Sequence, residues 1–291
     1  MKNESTKVKV SLNQFLILAI AILTTIYLLQ LFLAGGFSTI TMFKSRLVMD
    51  TAQVARNTKE GNLFSTKYIL PVSYSFFPYV DNHPNFIRYY LPVMVYALLF
   101  KVFSPNAAVI NILNGVLFVI NGALVFLIVQ KLLRTQKEAL NISSKEIDII
   151  ALLTTISSSF LTFTYLRLSL LDNYEVLSYT LILLMVFLAL DRQIKPIILG
   201  AVGGLLFLSK PSFAFFIFTI TFYFLLPDIK NFKRFFLRGL VAVLGFFIIV
   251  SPFIIRSIIL TGEPLFALQN KVDIIKGIVY SHDQLYKSFS I

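Results

Sequence analysis

The sequence predicts an all-α polytopic membrane protein with about seven transmembrane helices, and three observations indicate this fold class. The chain has 291 residues, of which 57% are hydrophobic and only 14% are charged, whereas soluble domains carry about 25% charged residues. Its mean hydropathy is +0.81. Apolar runs approaching the ~20 residues that cross a bilayer recur along the chain, and the charges concentrate in the loops between them.

Composition also narrows the chemistry that the chain offers. There is no cysteine, so the sequence offers no disulfide, no thiol nucleophile and no indication of the redox compartment. The net charge of +12 is better explained by basic loops that orient helices and meet anionic lipid head groups than by nucleic acid. We therefore expect membrane lipids, and no nucleic acid, as partners.

The first predicted span covers residues 12–34. This uncharged run exceeds the apolar core of about 7–15 residues in a cleaved signal peptide, so we expect a retained signal-anchor with a cytoplasmic N-terminus. The loop that follows begins at Gly35. Its residues 41–57 interleave apolar and charged side chains, a mixture typical of a helix lying on the membrane surface, and Gly61 is a plausible C-cap.

Residues 86–103 are apolar but ambiguous, because they contain Arg88, Pro92 and Lys101 and their uninterrupted part is too short to cross ~30 Å of hydrocarbon. The positive-inside rule, applied to the basic residues of later loops, decides whether 86–103 crosses the membrane or lies in its interface. If 86–103 crossed the membrane, these groups would lie outside; if it lies in the interface, all of them are cytoplasmic. The groups are Lys131, Arg134, Lys137 and Lys145; Arg192 and Lys195; and Lys230, Lys233, Arg234 and Arg238.

The interface placement predicts seven spans in one domain with juxtamembrane helices in its first loop. Residues 12–34 form the first span, 35–108 the extracytoplasmic loop, 109–258 six further spans, and 259–291 an extracytoplasmic tail. The six apolar cores are 109–129, 147–165, 176–190, 197–208, 213–226 and 237–255.

The predicted extracytoplasmic face collects the residues that could carry chemistry. Carboxylates can accept a proton from a hydroxyl, and cations can hold a phosphate. The simpler alternatives stay open: loop carboxylates are often only solvated, and Lys210 and Arg256 border apolar spans where such side chains snorkel to the interface. The spacing of His83 and His282 does not support a metal site. The acidic and basic candidates on this face are Asp50, Asp81, Asp172, Glu175, Glu263, Lys210 and Arg256.

The order of these motifs resembles the GT-C glycosyltransferases, in particular the branch of protein O-mannosyltransferases and aminoarabinose transferases. Asp50 follows the first span and precedes Ala55-Arg56 with Gly61. His83-Pro84 is followed by Tyr89-Tyr90, and Asp172 follows the third span. The last motifs are Leu208-Ser-Lys-Pro211 and Arg256 before Gly262-Glu-Pro-Leu265. One departure is Thr51, where many members of the family carry a glutamate.

The resemblance implies a polyprenyl-phosphate-linked sugar as donor, a lipid, glycan or protein acceptor, and inversion at the anomeric carbon. It implies Asp50 as the catalytic carboxylate, with Lys210 and Arg256 binding phosphate. Donor or acceptor positioning would fall to Asp172, Asp81, His83, Tyr89 and Glu263. The sequence indicates no particular cofactor, and use of a divalent metal is left open.

Two alternatives stand beside this hypothesis. A lipid-carrier or solute transporter usually places ionisable residues in the middle of its spans, whereas the predicted spans here are almost free of charge. A shortened or inactive GT-C relative acting as a membrane scaffold would not bring Asp50, Lys210 and Arg256 together.

Overall fold

The computed structural model describes residues 4–33, 46–66, 83–85, 89–169, 174–191, 193–262 and 264. The predicted site residues Asp81, Asp172 and Glu263 lie outside this part of the chain, and so does the side chain of His83. In chain order the elements are α1 (Glu4–Leu33), α2 (Arg46–Lys59), β1 (Ser65–Thr66), β2 (His83–Pro84), α3 (Tyr90–Val102), α4 (Ala107–Thr135), α5 (Lys137–Leu140), α6 (Ser144–Ser169), α7 (Tyr174–Ala189), α8 (Pro196–Ser209), α9 (Ala214–Leu225) and α10 (Phe232–Thr261).

The predicted membrane character is confirmed by the helices. In the described residues, three helical stretches are long and apolar enough to cross a bilayer: Ala108–Thr135, Pro211–Asp228 and Phe232–Thr261. The second consists of α9 with a single turn of 3-10 helix at each end. Shorter apolar helices accompany them at Gln14–Leu29, Tyr90–Val102, Val176–Ala189 and Pro196–Ser209. The chain is thus mostly helical, as predicted, with one small β-ribbon among the described residues.

Helix α3 is the element that sequence left ambiguous. Its 13 residues span only about 20 Å at 1.5 Å per residue, which is less than the hydrocarbon thickness. Its buried face includes Val93, Tyr96 and Phe100, which form one cluster with Val54 of α2 and Ile110 of α4. The described part of the first loop therefore contains a helical pair, α2 against α3, that packs on the start of α4.

A tight turn reverses the chain after α2. Gly61 adopts φ +97°, a conformation that suits the expected C-cap glycine. The amide of Asn57 donates to the carbonyl of Ser65 at 3.1 Å. Beyond the turn, β1 pairs antiparallel with β2, with Ser65 opposite Pro84. This ribbon, which sequence did not predict, fixes Phe64 beside the start of α3.

Helices α8 and α10 run side by side in the same direction. Gly200 faces Ala242, and further along both helices Gly204 faces Phe246 and Ile249. A Cβ atom on Gly200 would collide with the backbone carbonyl of Ala242, so glycine permits this close approach. Because the register is parallel, the C-terminal ends of α8 and α10 lie at the same end of the pair. Pro252 sits inside α10, shortly before that end.

The opposite end of the bundle holds the loop between α4 and α6. A capping box begins α6: the Ser143 N–H donates to the Glu146 carboxylate at 2.7 Å, and the Glu146 N–H donates to the Ser143 hydroxyl at 3.2 Å. Hydrogen bonding of the carboxylate to Ser143, first by its backbone N–H and then by its side chain, lowers the pKa of the exposed Glu146 carboxyl. Nearby, buried Asp148 accepts from Gln130 of α4 at 2.7 Å, which ties α6 to α4.

Candidate active site

The guanidinium of Arg256 lies among aromatic groups at the C-terminal end of α10. Its Nη1 atom donates to the Tyr90 hydroxyl at 3.4 Å. The guanidinium carbon is 5.3 Å from the centre of the Phe64 ring and 5.8 Å from that of Tyr90. Both distances fall within the range of cation–π attraction.

Three distant segments meet to form this aromatic cluster. Tyr90 packs on Phe253 with ring centres 4.7 Å apart, and the rings of Phe64 and Tyr90 are perpendicular with centres 5.1 Å apart. Phe253 lies almost one helical turn before Arg256 on α10. Burial raises the pKa of Tyr90, and the nearby positive charge of Arg256 opposes that rise. Tyr90 is therefore a neutral phenol whose oxygen faces the Arg256 guanidinium.

Phe64 holds an uncommon backbone conformation. Its φ is +50°, in the left-handed region that glycine and asparagine adopt most readily. For a bulky L-residue this conformation costs about 1–2 kcal/mol. The side chain is nevertheless buried in the cluster that joins α2, α3 and α4. The surrounding contacts therefore hold an unfavourable backbone in place, as happens at functional sites.

Asp50 lies on α2 and is only 7% exposed. Val54, one turn later and about 6 Å along the axis, is fully buried in the core between α2 and α3. Tyr90 and Phe253 pack against that same core. The structure thus connects the helix of Asp50 to the surroundings of Arg256 through one continuous cluster.

Lys210 follows the last residue of α8. Its backbone N–H donates to the carbonyl of Leu206 at 2.9 Å, and its Nζ lies 4.9 Å from the centre of the Phe213 ring. Because α8 and α10 are parallel with Gly204 opposite Phe246 and Ile249, Lys210 is level with the turns of α10 that carry Arg256. The two predicted phosphate-binding cations therefore share one end of the helix pair.

Tyr90 is the tyrosine whose phenol oxygen accepts a hydrogen bond from Arg256, and the positioning role of Tyr89 stays a prediction. Tyr89 precedes α3 with extended backbone. Both tyrosines belong to one sequence motif, and residue type alone does not distinguish them. The sequence carries no signal for Phe64. Among the described residues, no group of three or more His, Asp or Glu side chains is placed to hold a metal ion.

The arrangement offers distinct chemical capacities. A buried carboxylate on α2 can accept a proton from a hydroxyl that is brought to it. A guanidinium and an ammonium at the common end of α8 and α10 can stabilise the oxygens of a phosphate. Because much of this region is shielded from water, such charges interact more strongly than at an open surface.

Comparison with known proteins identifies the family. A family profile described as dolichyl-phosphate-mannose-protein mannosyltransferase matches residues 82–255, more than half of the chain. The match includes Tyr90, Lys210 and Phe253, and it lies after Asp50 and Phe64. Searches of curated proteins and of solved structures gave no significant match. The chain belongs to the dolichyl-phosphate-mannose-protein mannosyltransferase family, membrane glycosyltransferases of the GT-C type.

Proposed function

We propose that this protein transfers a sugar from a polyprenyl-phosphate carrier to an acceptor hydroxyl at the extracytoplasmic face of the membrane, with inversion at the anomeric carbon. The observation that carries the proposal is the continuous cluster joining the helix of Asp50 to the aromatic surroundings of Arg256. The family description, which names a dolichyl-phosphate sugar, supports this donor class and favours an enzyme over a transporter.

In the proposed reaction, Asp50 accepts the proton of the acceptor hydroxyl as its oxygen attacks the anomeric carbon. The bond between that carbon and the phosphate oxygen breaks on the opposite face, so the phosphate leaves with the carrier lipid. Arg256 and Lys210 stabilise the negative charge that the phosphate retains. The products are an inverted glycoside and a polyprenyl phosphate.

The remaining predicted residues take positioning roles in this proposal. Asp172 would orient the acceptor or Asp50, and the first loop and the segment after α10 would contribute Asp81, His83, Tyr89 and Glu263. The acceptor would be a hydroxyl on a lipid, a glycan or a protein. Each role is a prediction from the resemblance described above.

The proposed membrane arrangement keeps seven spans, with α2 and α3 in the extracytoplasmic interface. The length of α3, about 20 Å, supports an interfacial position. Its opposite surfaces also differ: Val93 and Phe100 are buried against protein, whereas Leu98 and Val102 are 63% and 75% exposed. An interfacial helix of this kind can face lipid on one side and the site on the other.

The test is replacement of Asp50 by asparagine in purified protein reconstituted with a panel of polyprenyl-phosphate sugars. Release of carrier phosphate and formation of glycoside are measured, and NMR of the product reports its anomeric configuration. Loss of the base should slow transfer by about 10²–10⁴-fold. Glu60→Gln is the matched control, because Glu60 is an exposed carboxylate of the same loop. Full activity of a well-folded Asp50→Asn variant would contradict the role of Asp50.

A further inference from the structure

Phe64 and Tyr90 together form what we call the aromatic clamp around Arg256. We propose that they are positioning residues that hold the Arg256 guanidinium in a fixed orientation towards the leaving phosphate. This inference rests on the proposed function, because it deepens the role of Arg256 in that reaction.

The first step of the argument is geometric. Phe64 comes from the turn after α2, and Tyr90 comes from the first residue of α3. Both rings lie within 6 Å of the guanidinium carbon, at 5.3 Å and 5.8 Å. The Tyr90 hydroxyl adds a directional contact at 3.4 Å to Nη1. Two rings and one oxygen from different segments restrict a side chain that is otherwise long and flexible.

The second step concerns charge. Aromatic faces attract a cation through their quadrupole, and they leave its net charge intact. A carboxylate in the same place would orient the guanidinium too, but it would cancel the charge that a phosphate requires. The phenol takes up one of the five N–H donors of an arginine. The clamp therefore orients the guanidinium without itself neutralising the positive charge that phosphate stabilisation requires.

The third step is the backbone of Phe64. The other described non-glycine residue with positive φ is Asn141, a residue type that tolerates this conformation. A glycine or asparagine at position 64 would build the same turn with less strain. The phenylalanine ring makes contacts with Arg256, Tyr90 and Phe253 that those residues could not make. Those contacts account for a bulky side chain at an unfavourable backbone position.

The test compares Phe64→Leu with Phe100→Leu. Both phenylalanines are buried in the same core, but Phe100 packs on Tyr96, so its replacement controls for lost core volume. We expect Phe64→Leu to lower kcat by about 3- to 30-fold, the range that cation–π attraction implies. Inhibition by free polyprenyl phosphate should weaken by a similar factor, with the acceptor KM unchanged. Phe64→Tyr keeps an aromatic ring at this position, so its kcat and its inhibition by polyprenyl phosphate should match those of the wild-type protein.

Tyr90→Phe gives an independent variant that keeps the ring and removes the hydroxyl contact. It should weaken inhibition by polyprenyl phosphate less than Phe64→Leu does. The proposal is overturned if Phe64→Leu and Phe100→Leu reduce kcat and thermal stability equally, or if inhibition by polyprenyl phosphate is unchanged in Phe64→Leu.

A binding measurement separates this proposal from the proposed function. If the wild-type protein transfers no sugar from any donor in the panel, the proposed function fails, but binding of polyprenyl phosphate in nanodiscs still decides the clamp. Weaker binding by Phe64→Leu than by Phe100→Leu supports it, and equal binding overturns it. If the wild-type protein transfers sugar and the clamp variants match it, only the clamp fails.

Discussion

Replacing Gly200 with alanine tests the close approach of α8 and α10. The new Cβ would collide with the carbonyl of Ala242 and would lie 3.0 Å from the backbone nitrogen of Phe246. Backbone atoms cannot rotate away, so the helices must separate by roughly 1.5 Å to bring the Cβ to an ordinary van der Waals distance from that carbonyl oxygen. Overpacking of this kind costs about 1–3 kcal/mol. Gly239→Ala is the matched control, because its Cβ would meet only a Leu225 methyl at 3.5 Å.

Alanine improves helix propensity over glycine by about 1 kcal/mol in both variants, so the difference between them isolates the collision. At about 2–4 °C per kcal/mol, we expect Gly200→Ala to melt about 2–12 °C below Gly239→Ala. The chain has no tryptophan, so the fraction that remains monodisperse after heating in detergent is a suitable measure. A Gly200→Ala variant as stable as Gly239→Ala would refute the tight parallel contact.

Two further predictions concern the loops. The lowered pKa of Glu146 means that its cap stabilises the fold above the ordinary glutamate pKa and is lost as pH falls through the lowered value. Melting curves between pH 7 and pH 3 should therefore show a smaller acid-induced loss for Glu146→Gln, and identical curves would contradict this role. Because the chain lacks cysteine, Ser104→Cys and Glu138→Cys report topology directly. A membrane-impermeant maleimide should label only the first in intact cells; the reverse pattern would mean that α3 crosses the membrane.

Hydropathy located the apolar helices better than it located their ends. The predicted core 237–255 lies inside α10, which runs from Phe232 to Thr261. The helix extends beyond the apolar part because Lys233 and Arg234 are good helix formers. Likewise α3 occupies most of the ambiguous segment 86–103 but begins at Tyr90. A hydropathy window measures composition, and it cannot see where hydrogen bonding begins.

The site was less accessible to sequence reasoning. Arg256 and Asp50 were selected as charged residues on the predicted extracytoplasmic face, the resemblance in motif order supports that choice, and their roles remain predictions. The contacts of Arg256 join positions 64, 90 and 256, whereas periodicity reports only on neighbours within a turn or two of one element. Phe64 was hidden for a further reason: its left-handed backbone is of the kind expected of glycine or asparagine. Residue type alone would assign a left-handed conformation to a glycine or an asparagine rather than to Phe64.

Pro252 divides α10 into two mechanically different parts. Proline has no N–H, so one rung of the helical ladder is missing between the glycine-packed stretch beside α8 and the final turns with Phe253 and Arg256. A helix bends most easily where a rung is absent. The segment of α10 that packs on α8 is therefore held in place, whereas the last turns can change direction at Pro252. A change in the direction of the last turns would therefore move Phe253 and Arg256 together and leave the glycine contacts with α8 in place.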